Sequence, residues 1–418
     1  MMTKHSVLAL LLLSLVDAFV VVVTTTTRPQ SCTLNAAAPK RLEDNVDGVL
    51  YVNDRCIDCA ACSHFNPSVF KRGNGHHFVY AQPSIEEDIV NARAAIVACP
   101  VAAIRVDAIT SQEQETMDFS LAKNLALSQK LNGRDLPFPR PLTSNVWYLG
   151  HHNEHSFGAT PYLTSTTFAN SGDNDNKIWI MVDTPRCIKS AIQAVTTLTG
   201  PNGPDYLFLT HVDDTADHAK WKDEFPHLKR IFHVGDLGQH NWVGDLSLEN
   251  VEVLLQETSS SDDSLQAFDL DGKVLTQDEA DNSQQRVVLY HTPGHSPGSI
   301  SLFQKSDNNG GGVLFTGDTL GYTTRTSTLT GFPNYGNDLR LQKEIVQKIE
   351  KLPWDVVAPG HGHARDYTAK GDMRSKELQD AKAELEAYAK THWTWIIYIH
   401  VHNIHFKPKQ SLCWSTWM

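Results

Sequence analysis

The stretch Leu209–His218, LTHVDDTADH, follows the apolar run YLFLT and places four groups able to bind a metal ion, His211, Asp213, Asp217 and His218, on the loop that leaves it. Three later segments repeat the plan. TPGHSPGS carries His295 behind VVLYHT, LFTGDTL carries Asp318 at the end of GVLFTG, and APGHGH carries His361 behind WDVVAPG. Short apolar runs bounded by Gly and Pro read as strands. A rigid strand end can hold a loop-borne ligand in place. Imidazole and carboxylate together suit zinc, or iron and manganese, with a position left open for water. A lone His carries no weight in a chain with 20 of them. Four ordered groups, each behind a strand, define a candidate metal site.

A second constellation is made of sulfur. RCIDCAACSHFNPSVF spaces Cys56, Cys59 and Cys62 three apart, and Cys99-Pro100 follows in ACPVAAI. This resembles a bacterial-type ferredoxin, whose run C-x-x-C-x-x-C-x-x-x-C-P uses its fourth Cys for a second cluster. Here that fourth position is Asn66, and the positions that would serve a second cluster with Cys99 are Ile89, Ala92 and Ala95. The resemblance therefore implies one [4Fe–4S] cluster, on Cys56, Cys59, Cys62 and Cys99. A four-cysteine zinc site usually pairs two C-x-x-C halves, which this spacing does not. The remaining cysteines, Cys32, Cys187 and Cys413, are scattered, so no disulfide framework is expected; Cys187 reads as a small buried hydrophobe. Lys71 and Arg72 read as solvated loop charges.

The chain has 418 residues, 41% apolar and 20% charged, with a net charge of −12. That is ordinary for a soluble globular protein of two or three domains. The acidic balance speaks against a nucleic-acid partner, which calls for clustered Lys and Arg. Residues 1–42 are read as a targeting presequence. Lys4 and His5 lead into SVLALLLLSLV, a secretory-type signal, and no acidic residue occurs from Ala18 to Leu42. A signal followed by such a segment, with Phe19 at the junction, resembles the bipartite plastid presequences of algae with secondary plastids. The expected location is the plastid stroma. Plain secretion and a membrane anchor over residues 6–23 are the rivals, the anchor opposed by Asp17 and by marginal length; no stable anchor is expected after processing.

Residues 48–108 read as the ferredoxin-like module, with a helix over Ile85–Ala98. Residues 109–141 read as a linker, holding a helical stretch Asp118–Leu131 and the extended PFPRP. Residues 142–390 alternate strands VWYLG, IWIMVD, YLFLT, RIFHV, VVLYHT, SISLF, GVLFTG and VVAPG with helices near Cys187–Leu198, Ala216–Glu224 and Asp338–Lys351. Strands outnumber helices, giving an α+β or α/β sandwich of two sheets with helices outside. The acidic stretch after Glu257 reads as a surface insertion with a short hairpin across Asp271-Gly272, KSDNNGGG as a turn between paired strands, and residues 376–390 as a surface helix. The tail, 391–418, breaks composition and is assigned no chemistry.

The larger region resembles the metallo-β-lactamase fold superfamily over residues 142–370, on TPGHSPGS, FTGDTL and PGHG. The resemblance implies an α+β chain whose second domain is an αββα sandwich with a two-metal site along one edge of its sheets. It places His211, His295 and Asp213 on one ion, Asp217, His218 and His361 on the other, and Asp318 between them. Asp183, at the end of IWIMVD, would support the site from behind. The family norm is H-x-H-x-D-H. This chain has Asp213 where a second His stands, and two additional residues before Asp217, so either Asp213 or Asp214 supplies the ligand. His361 is favoured over His363 because it follows Pro-Gly. His151, His152 and His155 read as loop residues near the mouth.

The implied cofactors are one [4Fe–4S] cluster and two Zn2+, or Fe, ions. The leading expectation is a hydrolase of a small-molecule substrate in which metal-bound water reaches a pKa of roughly 7 and Asp217 orients it as the catalytic carboxylate. The alternative is a diiron oxidoreductase, reducing dioxygen or nitric oxide, fed by the fused cluster and a redox partner protein. A carboxylate in place of the second His hardens the site toward iron, as in flavodiiron proteins, which this arrangement resembles. A third alternative is a non-catalytic electron-transfer protein. Nothing in the sequence names the substrate.

Overall fold

The computed structural model describes residues 38–107, 125, 137–167, 177–257, 264–282, 286–306 and 311–401, with side chains to Thr391. Most of the presequence, most of the 118–131 helical stretch, part of the acidic insertion and residues 402–418 lie outside the described residues. Contacts gather the chain from Pro39 onward into one compact unit. No helix among the described residues is long and apolar enough to cross a membrane.

The small module pairs Leu50–Val52 with Ile104–Val106 and Phe70–Arg72 with His77–Val79, both antiparallel. The helices Ala61–Phe65 and Glu86–Ala98 cover them. Glu86, Glu87 and Asp88 occupy the first turn of the longer helix, where the N-terminal dipole favours negative charge. Ala92 and Ala95 are fully buried beside Cys62 and Cys99, and Ile89 packs on the same core. Apolar side chains thus fill the place of a second cluster. Leu125, isolated among undescribed neighbours, is helical and buried in this core. The module also begins earlier than the sequence suggested. Arg41 bridges to Asn53 and donates to Asp107 at 3.1 Å, and Leu42 N donates to Val52 O at 3.1 Å. Residues 40–42, assigned above to the presequence, are therefore part of the fold.

Among the described residues, the larger region is built on two mixed seven-stranded sheets. One runs in the order Val253–Leu255, Lys229–His233, Tyr206–Phe208, Lys177–Val182, Tyr162–Thr167, Val146–Tyr148, Arg140–Thr143. The other runs Val274–Leu275, Ala267–Phe268, Val287–His291, Ile300–Lys305, Gly312–Gly317, Val356–Pro359, Arg365–Asp366. Strand alternation explains the layering. Val287 and Leu289 face the core between the sheets, whereas Val288 and Tyr290 face the helices Leu339–Ile349 and Met373–Val401. On the other sheet Met181, Leu207 and Phe232 meet the helices Lys189–Thr199 and His218–Glu224. Both faces are buried, which is why these strands read as unbroken apolar runs. The fold is the expected α+β sandwich. The strand Tyr162–Thr167 (YLTSTT) escaped notice because its Ser and Thr do not read as apolar, and Arg140–Thr143 is an edge strand where the linker was expected to end.

The cysteine module shares the inter-sheet core. Ala61, Phe65, Ala94 and Val97 pack with Phe138, Val146 and Tyr148. At one edge of the sandwich the chain leaves Tyr206–Phe208, Val287–His291, Gly312–Gly317 and Val356–Pro359 into the four metal-motif loops. Ile300 N donates to Thr210 O at 2.9 Å, tying the two sheets at that edge.

Candidate metal centre

His211 is fixed from behind. Asp183, with φ +53°, accepts from Thr210 N at 2.9 Å and from Thr210 Oγ1 at 3.1 Å. The same Oγ1 lies 3.0 Å from His211 Nδ1. Having donated to Asp183, Thr210 Oγ1 accepts from His211 Nδ1–H, which assigns the lone pair to Nε2. Burial pushes the His211 pKa down to about 4, so the ring is neutral. Its Nε2 is buried with no hydrogen-bond partner among the described residues. It faces Asp213 Oδ2 at 3.7 Å and Asp318 Oδ2 at 3.9 Å. His295 Nε2 faces the same two oxygens at 3.9 and 3.7 Å, its ring at 86° to that of His211. Burial alone would raise Asp213 and Asp318. The neighbouring imidazoles, His295 for Asp213 and His361 for Asp318, outweigh it and hold both carboxyls below their ordinary range. A buried, unpaired imidazole lone pair facing two carboxylates suits a divalent cation.

His361 completes the edge. Its Nδ1 lies 2.9 Å from both oxygens of Asp318, its backbone N donates to Asp318 Oδ1 at 3.1 Å, and its Nε2 lies 3.4 Å from Phe157 O. Burial opposes its charge, but Asp318 raises its pKa above the ordinary value. His363 points elsewhere, its Nδ1 3.0 Å from Nδ1 of His64 in the cysteine module. Asp213 and Asp214 are both near the centre, on different sides of His211. Asp214 is fully buried with both carboxylate oxygens unpaired, and Oδ2 lies 3.7 Å from His211 Nδ1. Burial, with the charges of Asp318 and Asp183, raises its pKa well above the ordinary value. Among the described residues two donor groups emerge, His211–Asp213–His295 and His211–Asp214–Asp318.

Asp217 and His218 are not brought into the site. The additional residues form the turn Val212–Asp214 and carry the chain past the centre before the helix His218–Glu224 starts. Asp217, at φ +62°, accepts from Cys187 N at 3.0 Å and from Lys220 Nζ at 2.6 Å. Cys187 is itself half-buried. His218 sits in a polar box made by Arg230 at 3.1 Å, Asp245 at 3.1 Å and Ser247 at 3.0 Å. The expectation that these two ligate the second ion, with Asp217 catalytic, is corrected on that ground. His151 and His152 are fully buried rather than at the mouth; only His155 is exposed. Sequence reading missed Asp236 altogether. Fully buried, it accepts from Val212 N (2.9 Å), Ser296 Oγ (2.7 Å) and Gly298 N (2.6 Å), clamping the His211 loop to the His295 loop. The only signal was an Asp just past the strand RIFHV.

Cys56, Cys59, Cys62 and Cys99 are unpaired by disulfides and line a common small cavity with Ile57, Pro100 and Val101. Burial pushes the thiols of Cys56, Cys59 and Cys62 up. Buried thiolates need a cationic centre, as iron provides. Two sulfurs also receive backbone N–H groups, Cys56 from His77 (3.3 Å) and Cys99 from Ala103 (3.2 Å). Such bonds are a known lever on cluster potential.

The cysteine site, through Cys59, and the metal centre open on one cavity. Asp58, Cys59 and Arg72 bound it from the small module; Asp213, His295, Asp318 and His361 bound it from the sandwich; Phe332 and Tyr335 line it as well. Arg72 is therefore no free loop charge. It donates to Asp58 Oδ2 through Nε at 2.8 Å, and Asp58 also holds His77 at 2.9 Å.

Family models match both modules. Residues 52–106 match the 4Fe-4S single cluster domain of ferredoxin I, and residues 160–361 match the metallo-beta-lactamase superfamily. Among solved structures, the chain is similar to an archaeal metallo-beta-lactamase superfamily protein from Sulfolobus tokodaii (17% identity, 57% of this chain and 86% of that one, TM-score 0.33). It is similar as well to a subclass B3 metallo-beta-lactamase of Bradyrhizobium japonicum (16%, 62% and 95%, 0.37) and to a metallo-beta-lactamase family protein from Thermus thermophilus (16%, 59% and 81%, 0.37). No curated protein matches. The chain carries a metallo-β-lactamase superfamily domain fused behind a single-cluster 4Fe-4S ferredoxin domain.

Proposed function

We propose that this chain is a metal-dependent oxidoreductase whose small-molecule substrate binds in the cavity between the two modules. One observation carries the reading: Cys59, of the cluster set, lines the same cavity as Asp213, His295, Asp318 and His361. Electron transfer into that cavity is useful to a redox reaction, whereas hydrolysis does not require it. A [4Fe–4S] cluster on the four thiolates would supply single electrons, and a divalent ion on His211, Asp213, His295 and Asp318 a Lewis acid or redox partner. The chain's own residues have separate tasks. Asp183 and Thr210 orient His211, Asp236 fixes the spacing of the His211 and His295 loops, and His361 on Asp318 holds a proton at Nδ1 beside the substrate space. Phe332 and Tyr335 add aromatic surface to the cavity lining.

Hydrolysis is the second reading, favoured by a neutral-imidazole and carboxylate donor set that suits zinc as well as iron. One experiment separates them. Anaerobic protein reduced at its cluster is mixed with dioxygen or nitric oxide, and reoxidation is followed in the visible. The redox reading expects iron beyond the cluster and reoxidation slowed at least tenfold by Asp318→Ala. Zinc alone at this position, with reoxidation indifferent to Asp318, would leave hydrolysis. In the same reading the electrons come from a one-electron donor protein, and the residues before Lys40 direct the chain to a plastid; a fluorescent fusion of that segment localising elsewhere would refute the address.

A further inference from the structure

One turn, Asn153–Gly158, touches both metal-binding positions. Gly158, at φ +86°, lies against Cys59: a Cβ there would fall 2.6 Å from Cys59 Cβ and 3.0 Å from its Sγ. Only glycine meets both the angle and the approach. Next to it, Phe157 holds φ +50°, a left-handed conformation unusual for a side chain of its size. That conformation delivers its carbonyl to within 3.4 Å of His361 Nε2. The other nitrogen of the same imidazole lies 2.9 Å from Asp318. The turn reaches the His211 loop as well, where Ser156 Oγ accepts from Ala216 N at 3.2 Å. It is itself held firmly. Gly158 N donates to Asn153 O at 2.9 Å, the Asn153 side chain accepts from His155 N at 3.1 Å, and buried His152 donates through Nδ1 to Gly158 O at 2.8 Å. Asn153 and Ser156 are both buried.

We propose that Asn153–Gly158 is a positioning turn that couples the two centres: filling the four-cysteine site seats Cys59, and through Gly158, Phe157 and the His361 ring orients Asp318 for the second ion. The proposal rests on the reading above that both sites bind metal. Coupling of this kind is reciprocal. A cluster-loaded chain should bind the second ion roughly tenfold tighter than a cluster-free one, within the usual range for coupled sites.

The probe is Mn2+, titrated into anaerobic full-length protein and followed by the electron paramagnetic resonance of the free ion. The expected result is a tenfold affinity ratio between cluster-loaded and cluster-stripped protein, falling toward one in Gly158→Ala. Asn153→Ala loosens the turn without touching either donor set. With the cluster's visible absorption unchanged, it should weaken Mn2+ binding severalfold, and this arm stands even where stripping disturbs the small module. Unaltered Mn2+ affinity in cluster-loaded Asn153→Ala would overturn the proposal. Cluster-loaded wild-type protein that takes up no Mn2+ at all would instead sink the reading that both sites bind metal, and the coupling with it.

Discussion

Asp217→Ala tests the placement of the metal donors most sharply, because the motif and the tertiary structure give opposite answers. By motif, Asp217 is a ligand and the catalytic carboxylate, and its loss should empty a site. In the structure its two oxygens are engaged with Cys187 N and Lys220 Nζ, on the far side of the Val212–Asp214 turn. Three contributions to stability are then lost. The bond from Cys187 N to a mostly buried carboxylate is worth about 1.5 kcal/mol. The pair with exposed Lys220 adds about 0.3 kcal/mol. Holding Ala at φ +62° in place of Asp costs about 1 kcal/mol. The variant should therefore be about 3 kcal/mol less stable in urea unfolding, while metal content and Mn2+ affinity stay within twofold of wild type. Asp217→Gly, which relieves the backbone, should recover about 1 kcal/mol. A tenfold loss of bound metal in folded Asp217→Ala protein would refute the geometry.

Other consequences follow from the same contacts. Asp318→Ala removes the oxygens that face His211, His295 and His361 together, so it should lower Mn2+ affinity by at least a hundredfold in a direct titration. Cys62→Ser should abolish the visible absorption of the cluster, since the buried Cys62 thiol belongs to the four-sulfur set. Trp221, fully buried, donates from Nε1 to Pro185 O at 2.8 Å and stacks on Phe225 at 6.1 Å; Trp221→Ala should cost about 3–5 kcal/mol by chemical denaturation. Burial pushes Glu252 up, but hydrogen bonds from Arg230 bring it down to about 2. Its folded pKa is depressed, so its stabilisation is complete above the unfolded value and is lost as pH falls toward 2. Discounted for its exposure, it is about 1 kcal/mol. Glu252→Gln should cost that much at pH 7 and only a small fraction of it at pH 2.

Much of this molecule was legible because strands buried on both faces leave long apolar runs. YLFLT, VVLYHT, GVLFTG and VVAPG marked their strands, and each loop after them was placed at the correct edge. The cysteine spacing was as plain, since four thiols at fixed offsets admit few chemistries. Polar strands such as Tyr162–Thr167 left no such trace, and Arg140–Thr143 was hidden among prolines. Asp236 was invisible for another reason: its partners, Val212, Ser296 and Gly298, lie far from it in sequence.

The sequence by itself determined which residue types occur and behind which strands, and hence two metal-binding chemistries on an α+β sandwich. Only the tertiary structure decided which of the acidic and imidazole groups converge. Asp217 and His218 match the motif in kind, yet a turn two residues longer turns them toward Cys187 and Arg230. It also brought Cys59 to the cavity of His295 and Asp318. The reason is physical: spacing along a chain fixes direction only within one element, whereas contact between a loop at 59 and loops beyond 290 depends on how whole layers pack.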